Sequence, residues 1–212
     1  MKVELQNVLP MDIERRSFEI IGQELGEVAL DPLEEPVIKR VIHTTADFDY
    51  VKTLCFSKDA VKLGMEALKQ GAHIVTDTQM ARSGIHKATL ERFGGQVHCF
   101  MADEDVAAAA REKGTTRASA SMDKAAQLDF PLIFAIGNAP TALVRLYELI
   151  REGKLHPALV IGVPVGFVNV VESKELILET DVPYIVARGR KGGSNVAAAI
   201  CNAMLYKASG ER

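Results

Sequence analysis

The sequence has few cysteines and no pattern that would bind a structural metal. Its 212 residues include three cysteines, Cys55, Cys99 and Cys201, which lie far apart in the chain. An odd and sparse set of this kind argues against a disulfide framework and favours a reducing compartment. The sequence also lacks a CxxC pair and any Cys/His spacing typical of zinc sites. We therefore expect no disulfide and no bound metal.

The sequence also lacks a basic excess and a membrane-directed segment. Lys and Arg number 25 against 28 Asp and Glu, whereas nucleic-acid-binding proteins of this size usually carry more basic residues. The first ten residues lack the apolar core of a signal peptide. No apolar run reaches the length that spans a bilayer. These absences predict a cytoplasmic protein that binds neither nucleic acid nor membranes.

Three common motifs of nucleotide binding and hydrolysis are absent as well. The sequence has no GxxxxGK[ST], and the segment 189–193 (GRKGG) does not have the GxGxxG spacing. The GxSxG turn that carries the nucleophile of many serine hydrolases is missing. Nucleotide binding and serine hydrolysis are therefore both disfavoured.

What is present is the pattern of one large α/β domain. Hydrophobic residues make up 48% and charged residues 25%, as in ordinary globular proteins. Residues 1–70 predict helices, and from residue 72 to 208 short apolar strands alternate with helices, which indicates βαβ units. We predict a single domain, residues 1–212, with an N-terminal helical part and a doubly wound part. The doubly wound part should be a three-layer structure, a mostly parallel five-stranded sheet with helices on both faces, whose strands lie near 72–76, 97–101, 132–136, 158–161 and 184–187.

Four loops that follow predicted strands are rich in Gly, Pro, Asn or Ser. They span residues 76–84, 137–141, 162–169 and 188–195. In open parallel sheets, ligands bind at the carboxyl ends of the strands, and helix N-termini there favour anions. Each loop alone is compatible with a simple turn. Four such loops at one sheet edge favour a site for a ligand that carries several negative groups.

One of the five histidines, His43, lies where an apolar helical pattern turns polar. Histidine can give or take a proton near neutral pH, which suits a catalytic acid or base. A half-buried histidine that contacts helix carbonyls is the ordinary alternative. Arg15 with Ser17, Arg117, and Asp77 have equally ordinary interpretations, as solvated helix faces, surface charges and helix caps. The spacing of these residues leaves both interpretations open.

Five segments of the sequence resemble the precorrin-8X methylmutases, a family that includes the cobalt-precorrin-8 methylmutases of cobalamin biosynthesis. Each segment is short, but their order and combination are specific, and they extend from Ile13 to Ser194. The segments are 13–18 (IERRSF), 41–48 (VIHTTADF), 76–80 (TDTQM), 137–143 (GNAPTAL) and 189–194 (GRKGGS).

The resemblance implies an isomerase that moves a methyl group from C-11 to C-12 of a corrin-type macrocycle. The product is hydrogenobyrinic acid or its cobalt-containing counterpart, and the sequence leaves open which of the two applies. The rearrangement is intramolecular, so no cofactor is expected. The family's catalytic histidine lies in the motif that here contains His43. Family members are homodimers with the site near the subunit contact.

The macrocycle carries several carboxylates around a large apolar ring, and this chemistry agrees with the matched segments. Arginines and backbone N–H groups suit the carboxylates, whereas Met80, Val163, Val165 and Phe167 are candidates to face the ring. The expected substrate-binding residues are Arg15, Ser17, Thr44, Asp77, Met80, Arg117, Asn138, Arg188, Gly192, Gly193 and Ser194.

The mechanistic hypothesis is that His43, as imidazolium, gives a proton or a hydrogen bond to a ring nitrogen near the migrating methyl. The alternatives are a non-catalytic tetrapyrrole carrier, a hydrolase or dehydrogenase on the same scaffold, and an interaction protein without a ligand.

Overall fold

A six-stranded sheet forms the centre of the computed structural model, which describes residues 7–210. The strands are β1 (Leu54–Phe56), β2 (His73–Thr76), β3 (Val97–His98), β4 (Leu132–Ile136), β5 (Leu159–Gly162) and β6 (Tyr184–Ala187). Their order across the sheet is β1-β6-β5-β4-β2-β3. Every neighbouring pair is parallel except β1 and β6.

Helices cover both faces of the sheet, and a short 3-10 turn at Pro10–Asp12 precedes the first of them. None of the helices within residues 7–210 is long and apolar enough to cross a membrane. The helices are α1 (Ile13–Leu25), α2 (Glu35–Thr45), α3 (Tyr50–Thr53), α4 (Ala60–Lys69), α5 (Gln79–Gly84), α6 (Lys87–Arg92), α7 (Glu104–Glu112), α8 (Arg117–Ala125), α9 (Pro140–Arg151), α10 (Val170–Leu178) and α11 (Ser194–Ser209).

Two apolar cores lie on opposite faces of the sheet because successive strand residues point to opposite sides. On one face, Ile133 and Ile161 pack in a cluster with residues of α2, α4 and α11. On the other face, Phe134 and Val160 pack with residues of α8, α9 and α10. These strand side chains are fully buried. This arrangement confirms the predicted three-layer α/β class with a mostly parallel sheet.

The sheet has six strands rather than the predicted five. The additional strand, β1, lies in the part of the chain that was predicted to be helical. It was missed because three residues are too few for an apolar periodicity to show. Leu54 pairs with Ala187 and Phe56 with Ile185, in antiparallel register. The pairing places the start of β1 beside the carboxyl end of β6.

Several element bounds also differ from the prediction. Helix α8 begins at Arg117, because Thr116 accepts a hydrogen bond from the Ser119 N–H at 3.1 Å and caps the helix. The strand expected over 97–101 ends at His98, and α3 and α5 were not predicted. The predicted strands 132–136 and 184–187 agree with the structure at both ends. The predicted domain begins at residue 1 and ends at residue 212, and both residues lie outside the described part of the chain. Six of the first ten residues, which lack the apolar core of a signal peptide, also lie outside it.

Candidate functional site

The four glycine-rich loops meet at the carboxyl ends of β2, β4, β5 and β6, here called the carboxyl edge. Asp77, directly after β2, is only 1% exposed. Its carboxylate accepts hydrogen bonds from the N–H groups of Gly137 at 2.9 Å, Asn138 at 2.8 Å and Ala139 at 2.6 Å. Burial raises the pKa of the Asp77 carboxyl and outweighs the lowering effect of these donors. Asp77 thus fixes the loop after β4, while the Asn138 side chain beside it is exposed.

The loop after β6 contacts the loops that follow β2 and β4. The hydroxyl groups of Thr78 and Ser194 lie 2.8 Å apart, and Thr78 also caps α5 by accepting from the Ala81 N–H. A Cβ atom at Gly137 would lie 2.7 Å from the Ser194 Cα, so only glycine allows this approach. Met80, in the first turn of α5, is 71% exposed at this edge.

The loop after β5 completes the edge through backbone contacts with the loop after β6. The Gly193 N–H donates to the Val163 carbonyl at 2.8 Å. A Cβ atom at Gly192 would collide with the same Val163 carbonyl, which explains why glycine is required at this position. The prediction that Val163 faces the ring is wrong, since its side chain is fully buried in the core. Val165 and Phe167 in the same loop are exposed.

The segment that follows His43 is attached to this edge by Lys191. The Lys191 Nζ lies 2.6 Å from Asp47 Oδ2 and 2.6 Å from Asp49 Oδ2. These contacts lower the pKa of the Asp47 carboxyl and raise the pKa of the Lys191 ammonium. The Arg188 N–H adds a hydrogen bond to the Thr53 carbonyl at 2.8 Å. The chain from Asp47 to Thr53 is therefore held against the last loop.

His43 itself lies in the last turn of α2 with an exposed side chain. The helix ends at Thr45, because Ala46 adopts a left-handed conformation and donates its N–H to the Ile42 carbonyl. The Phe18 ring stacks on the imidazole, with centroids 5.2 Å apart and an interplanar angle of 20°. The imidazole is thus oriented by a packed ring and remains accessible to a ligand.

The pocket around His43 is open and small, with a volume of about 240 Å³. Pockets that enclose drug-sized ligands usually measure roughly 300–1,000 Å³. A four-ring macrocycle would therefore extend beyond this pocket, over the surface of the protein. The residues that line it are Ser17, Ile20, Ile21, Glu24, Ile42, His43, Ala46 and Phe48.

Of the residues predicted to bind substrate, Ser17 and Thr44 lie nearest to His43. Ser17 lines the same pocket, with its hydroxyl donating to the Ile13 carbonyl at 3.1 Å, and Thr44 is the next residue and exposed. Arg15 is 70% exposed on α1, where it pairs with Asp12 at 3.0 Å. Among the described residues, the ion pairs of Arg15 are with Asp12 and Glu19 and not with groups around His43.

The two other predicted arginines lie at the carboxyl edge. Arg117 is exposed at the start of α8, and the hydroxyl groups of Thr116 and Thr141 at 2.9 Å hold this helix end beside the loop after β4. Arg188 is also exposed and forms a loose ion pair with Glu175 at 3.5 Å. Both guanidinium groups are accessible to an anionic ligand.

One residue of the edge, Lys174 on α10, was not predicted. Its side chain is fully buried, and Nζ donates to the Gly189 carbonyl at 2.7 Å and the Lys191 carbonyl at 2.8 Å. Burial lowers the pKa of Lys174 to about 8. A single lysine between glutamates in a helix is typical of a solvated face, so the sequence offers no signal for its burial.

The composition of the edge does not favour a metal centre. Within residues 7–210, no group of three or more His, Cys, Asp and Glu side chains is placed to hold a metal ion. The chemistry available is that of one accessible imidazole, several cations, backbone amides and exposed apolar side chains.

Comparison with known proteins gives a consistent result. A sequence model of the precorrin-8X methylmutases matches residues 12–207. The cobalt-precorrin-8 methylmutase of Salmonella typhimurium is 48% identical over 203 residues, covering 93% of this chain and 95% of that protein. The precorrin-8X methylmutase of Pseudomonas aeruginosa is 39% identical over 194 residues, covering 91% and 93% respectively.

A solved structure supports the same assignment. The crystal structure of precorrin-8x methyl mutase from Thermus thermophilus superimposes with a TM-score of 0.86 at 42% sequence identity. The match covers 94% of this chain and 98% of that one. The sequence and the fold agree, and the chain belongs to the precorrin-8X methylmutase family.

Proposed function

We propose that this protein isomerises a precorrin-8-type macrocycle in cobalamin biosynthesis, by moving a methyl group from C-11 to C-12, with His43 as the proton donor. Relatives across the length of the chain are named methylmutases of precorrin-8X or cobalt-precorrin-8. The observation that carries the assignment of His43 is its exposure at the end of α2, next to a segment that Lys191 holds to the carboxyl edge.

The proposed role of His43 follows from the chemistry of the rearrangement. A proton or hydrogen bond given to a ring nitrogen near the migrating methyl withdraws electron density from the conjugated system. The barrier to the methyl shift then falls, and general acid assistance of this kind typically contributes about 10²–10⁴-fold. The stacked Phe18 ring restricts the imidazole plane, which keeps the donor oriented before the substrate arrives.

The remaining residues have roles in binding. The exposed Arg15, Arg117 and Arg188 are suited to the carboxylates at the rim of the macrocycle. Asn138, Ser17 and Thr44 offer polar contacts, and Met80 offers an exposed apolar side chain to the ring. Asp77 acts indirectly, because its carboxylate is occupied by the amides of the loop after β4.

We also propose that two copies of the chain assemble and that the second copy covers the site. The pocket around His43 is too small to enclose a macrocycle. Met80, Phe167 and Val168 are 71%, 81% and 78% exposed, which leaves apolar surface that a partner would bury. Sedimentation equilibrium tests this proposal, and a monomer at micromolar concentration would contradict it. We further propose a cytoplasmic location, because the three cysteines are free thiols, as is usual in a reducing compartment.

The direct test of the proposed reaction is a spectroscopic assay. Purified protein is incubated with the metal-free substrate and, separately, with its cobalt-containing form, and the visible spectrum is followed. An isomerase converts at least one of them catalytically, and the faster reaction identifies the natural form. A carrier would shift the spectrum only in proportion to the protein added, and that result would refute the proposal.

A further inference from the structure

Lys174 is a buried cation that pairs with no carboxylate among residues 7–210. Its side chain is fully buried, and its ammonium donates to two backbone carbonyls, those of Gly189 and Lys191. No carboxylate of residues 7–210 offsets the burial, which lowers the pKa of Lys174 to about 8. Burying a charge without a counter-ion costs free energy, even where its donors are satisfied by carbonyl groups. The position of the charge therefore requires an explanation beyond packing.

The orientation of the two peptide units that Lys174 contacts indicates what its charge does. The Gly189 carbonyl shares a peptide unit with the Arg190 N–H, and the Lys191 carbonyl shares one with the Gly192 N–H. In a trans peptide the N–H points opposite to the carbonyl, and none of the described peptide bonds is cis. Both N–H groups therefore point away from Lys174. Neither donates to an acceptor in the described part of the protein.

The surroundings of these two amides are suited to an anion. They precede the N-terminus of α11, which has no side-chain cap, so its first N–H groups add to the positive potential. The nearby Lys191 is already paired with Asp47 and Asp49, and Arg188 with Glu175. The charge of Lys174 has no such partner in the part of the chain that the structure describes.

We propose that residues 189–193 form a carboxylate-binding loop, in which the Arg190 and Gly192 amides bind one carboxylate of the macrocycle. Lys174 donates to the carbonyls of the same two peptide units and so makes these amides stronger hydrogen-bond donors. The inference rests on the proposed function, since the macrocycle supplies the carboxylate. An ammonium that donates to a carbonyl polarises the whole peptide unit and makes its N–H a stronger donor. Solvent and salt screen a buried charge less than an exposed one, so the effect persists at physiological ionic strength.

The location of the loop gives this contact a consequence for the reaction. Lys191 in the same loop holds Asp47, four residues after His43. A carboxylate bound at Arg190 and Gly192 would therefore anchor the macrocycle to the element that positions the segment after His43. Lys174 is a positioning residue in this scheme, because it acts through the loop and does not touch the substrate.

The variant Lys174→Met tests the proposal, since methionine approximates the length of the lysine stem without its charge or donors. We expect the dissociation constant of the carboxylate-bearing product to rise about tenfold, the equivalent of roughly one charge-assisted hydrogen bond, with kcat changed less than about twofold. The same macrocycle with its carboxylates amidated should bind the variant and the parent equally. Lys154→Met, the same change at an exposed lysine, should alter neither affinity.

A purely structural role for Lys174 gives a different result, because a distorted loop would weaken the acid and the amidated ligand alike. Equal weakening of both ligands, or no change in either, would overturn the proposal. If Lys174→Met does not fold, amide NMR on the parent protein replaces it. The Arg190 and Gly192 resonances should shift with the acid and not with the amidated ligand, and unshifted resonances would overturn the proposal. Failure of the parent protein to bind or convert any corrinoid would instead refute the proposed function.

Discussion

Lys191 Nζ lies 2.6 Å from Asp47 Oδ2, although the two residues are 144 positions apart in the sequence. One belongs to the loop after the last strand of the sheet, and the other follows the exposed histidine at the end of α2. The pairing of β1 with β6 brings the same two regions together through backbone hydrogen bonds. The segment that follows the candidate catalytic histidine is therefore in direct contact with one of the candidate binding loops, although the two come from opposite ends of the chain.

Breaking this ion pair should reduce catalysis more than stability. In Lys191→Met the segment after His43 loses its attachment to the last loop, and small displacements of catalytic groups are costly. We expect kcat/KM to fall about tenfold to a hundredfold, while the melting temperature changes little because the pair is solvent-exposed. Lys191→Arg, which keeps the charge, should retain most of the activity. A Lys191→Met enzyme with parent kinetics would show that the contact has no role in positioning.

The close approach of the loops after β5 and β6 gives a second prediction. In Gly192→Ala the new Cβ collides with the Val163 carbonyl, so the loop must move away from the edge. We expect kcat/KM to fall by about a hundredfold or more. Gly189→Ala is the matched control, because its Cβ meets no atom within 4 Å and only the strain of a φ of 77° is added. Equal effects of the two substitutions on kcat/KM would contradict this account of the loop.

Two neighbouring histidines, His73 in β2 and His98 in β3, predict that the free energy of unfolding depends on pH. His73 Nδ1 and His98 Nε2 lie 2.8 Å apart, and burial lowers the pKa of both, with the neighbouring charges of His73 and Arg82 lowering the pKa of His98 further. Below about pH 6.5 the unfolded chain takes up protons that the folded state resists. The free energy of unfolding should therefore decrease as the pH falls from about 6.5 through the lowered pKa values.

Urea denaturation between pH 5 and pH 7.5 measures this effect. The variant His98→Gln removes one of the two titrating rings and should flatten the dependence. A parent protein whose unfolding free energy is constant over this range would contradict the burial of a neutral histidine pair.

Several strands and helices could be predicted because their apolar runs and their flanking Pro and Gly residues are local features of the sequence. Strands β4 and β6 are continuous apolar runs bounded by Pro and Gly, and α9 begins at Pro140, so their ends agree with the sequence. The three-residue β1 could not be predicted, since its pairing with β6 is a tertiary contact. The start of α8 has a local signal in Thr116, because threonine is a common helix N-cap.

The candidate site was predictable from the sequence as a set of loops at one sheet edge, whereas most of its contacts were not. The change from apolar to polar sequence at His43 and the glycine-rich loops after the strands identify the edge, and the resemblance to a family selects the residues. The burial of Asp77 among three amides and of Lys174 beneath the last loop depends on residues distant in sequence. No single-chain pattern reveals such partners, because the same residues are typical of helix caps and solvated faces.

The most direct test of the account is the turnover rate of His43→Asn, an uncharged variant that retains a polar side chain. The account predicts a folded protein that binds the methyl-migrated product with parent affinity and converts substrate about 10²–10⁴-fold more slowly. His156→Asn, at an exposed position in the loop before β5, should have parent activity. A folded His43→Asn protein that converts substrate at the parent rate would contradict the central claim.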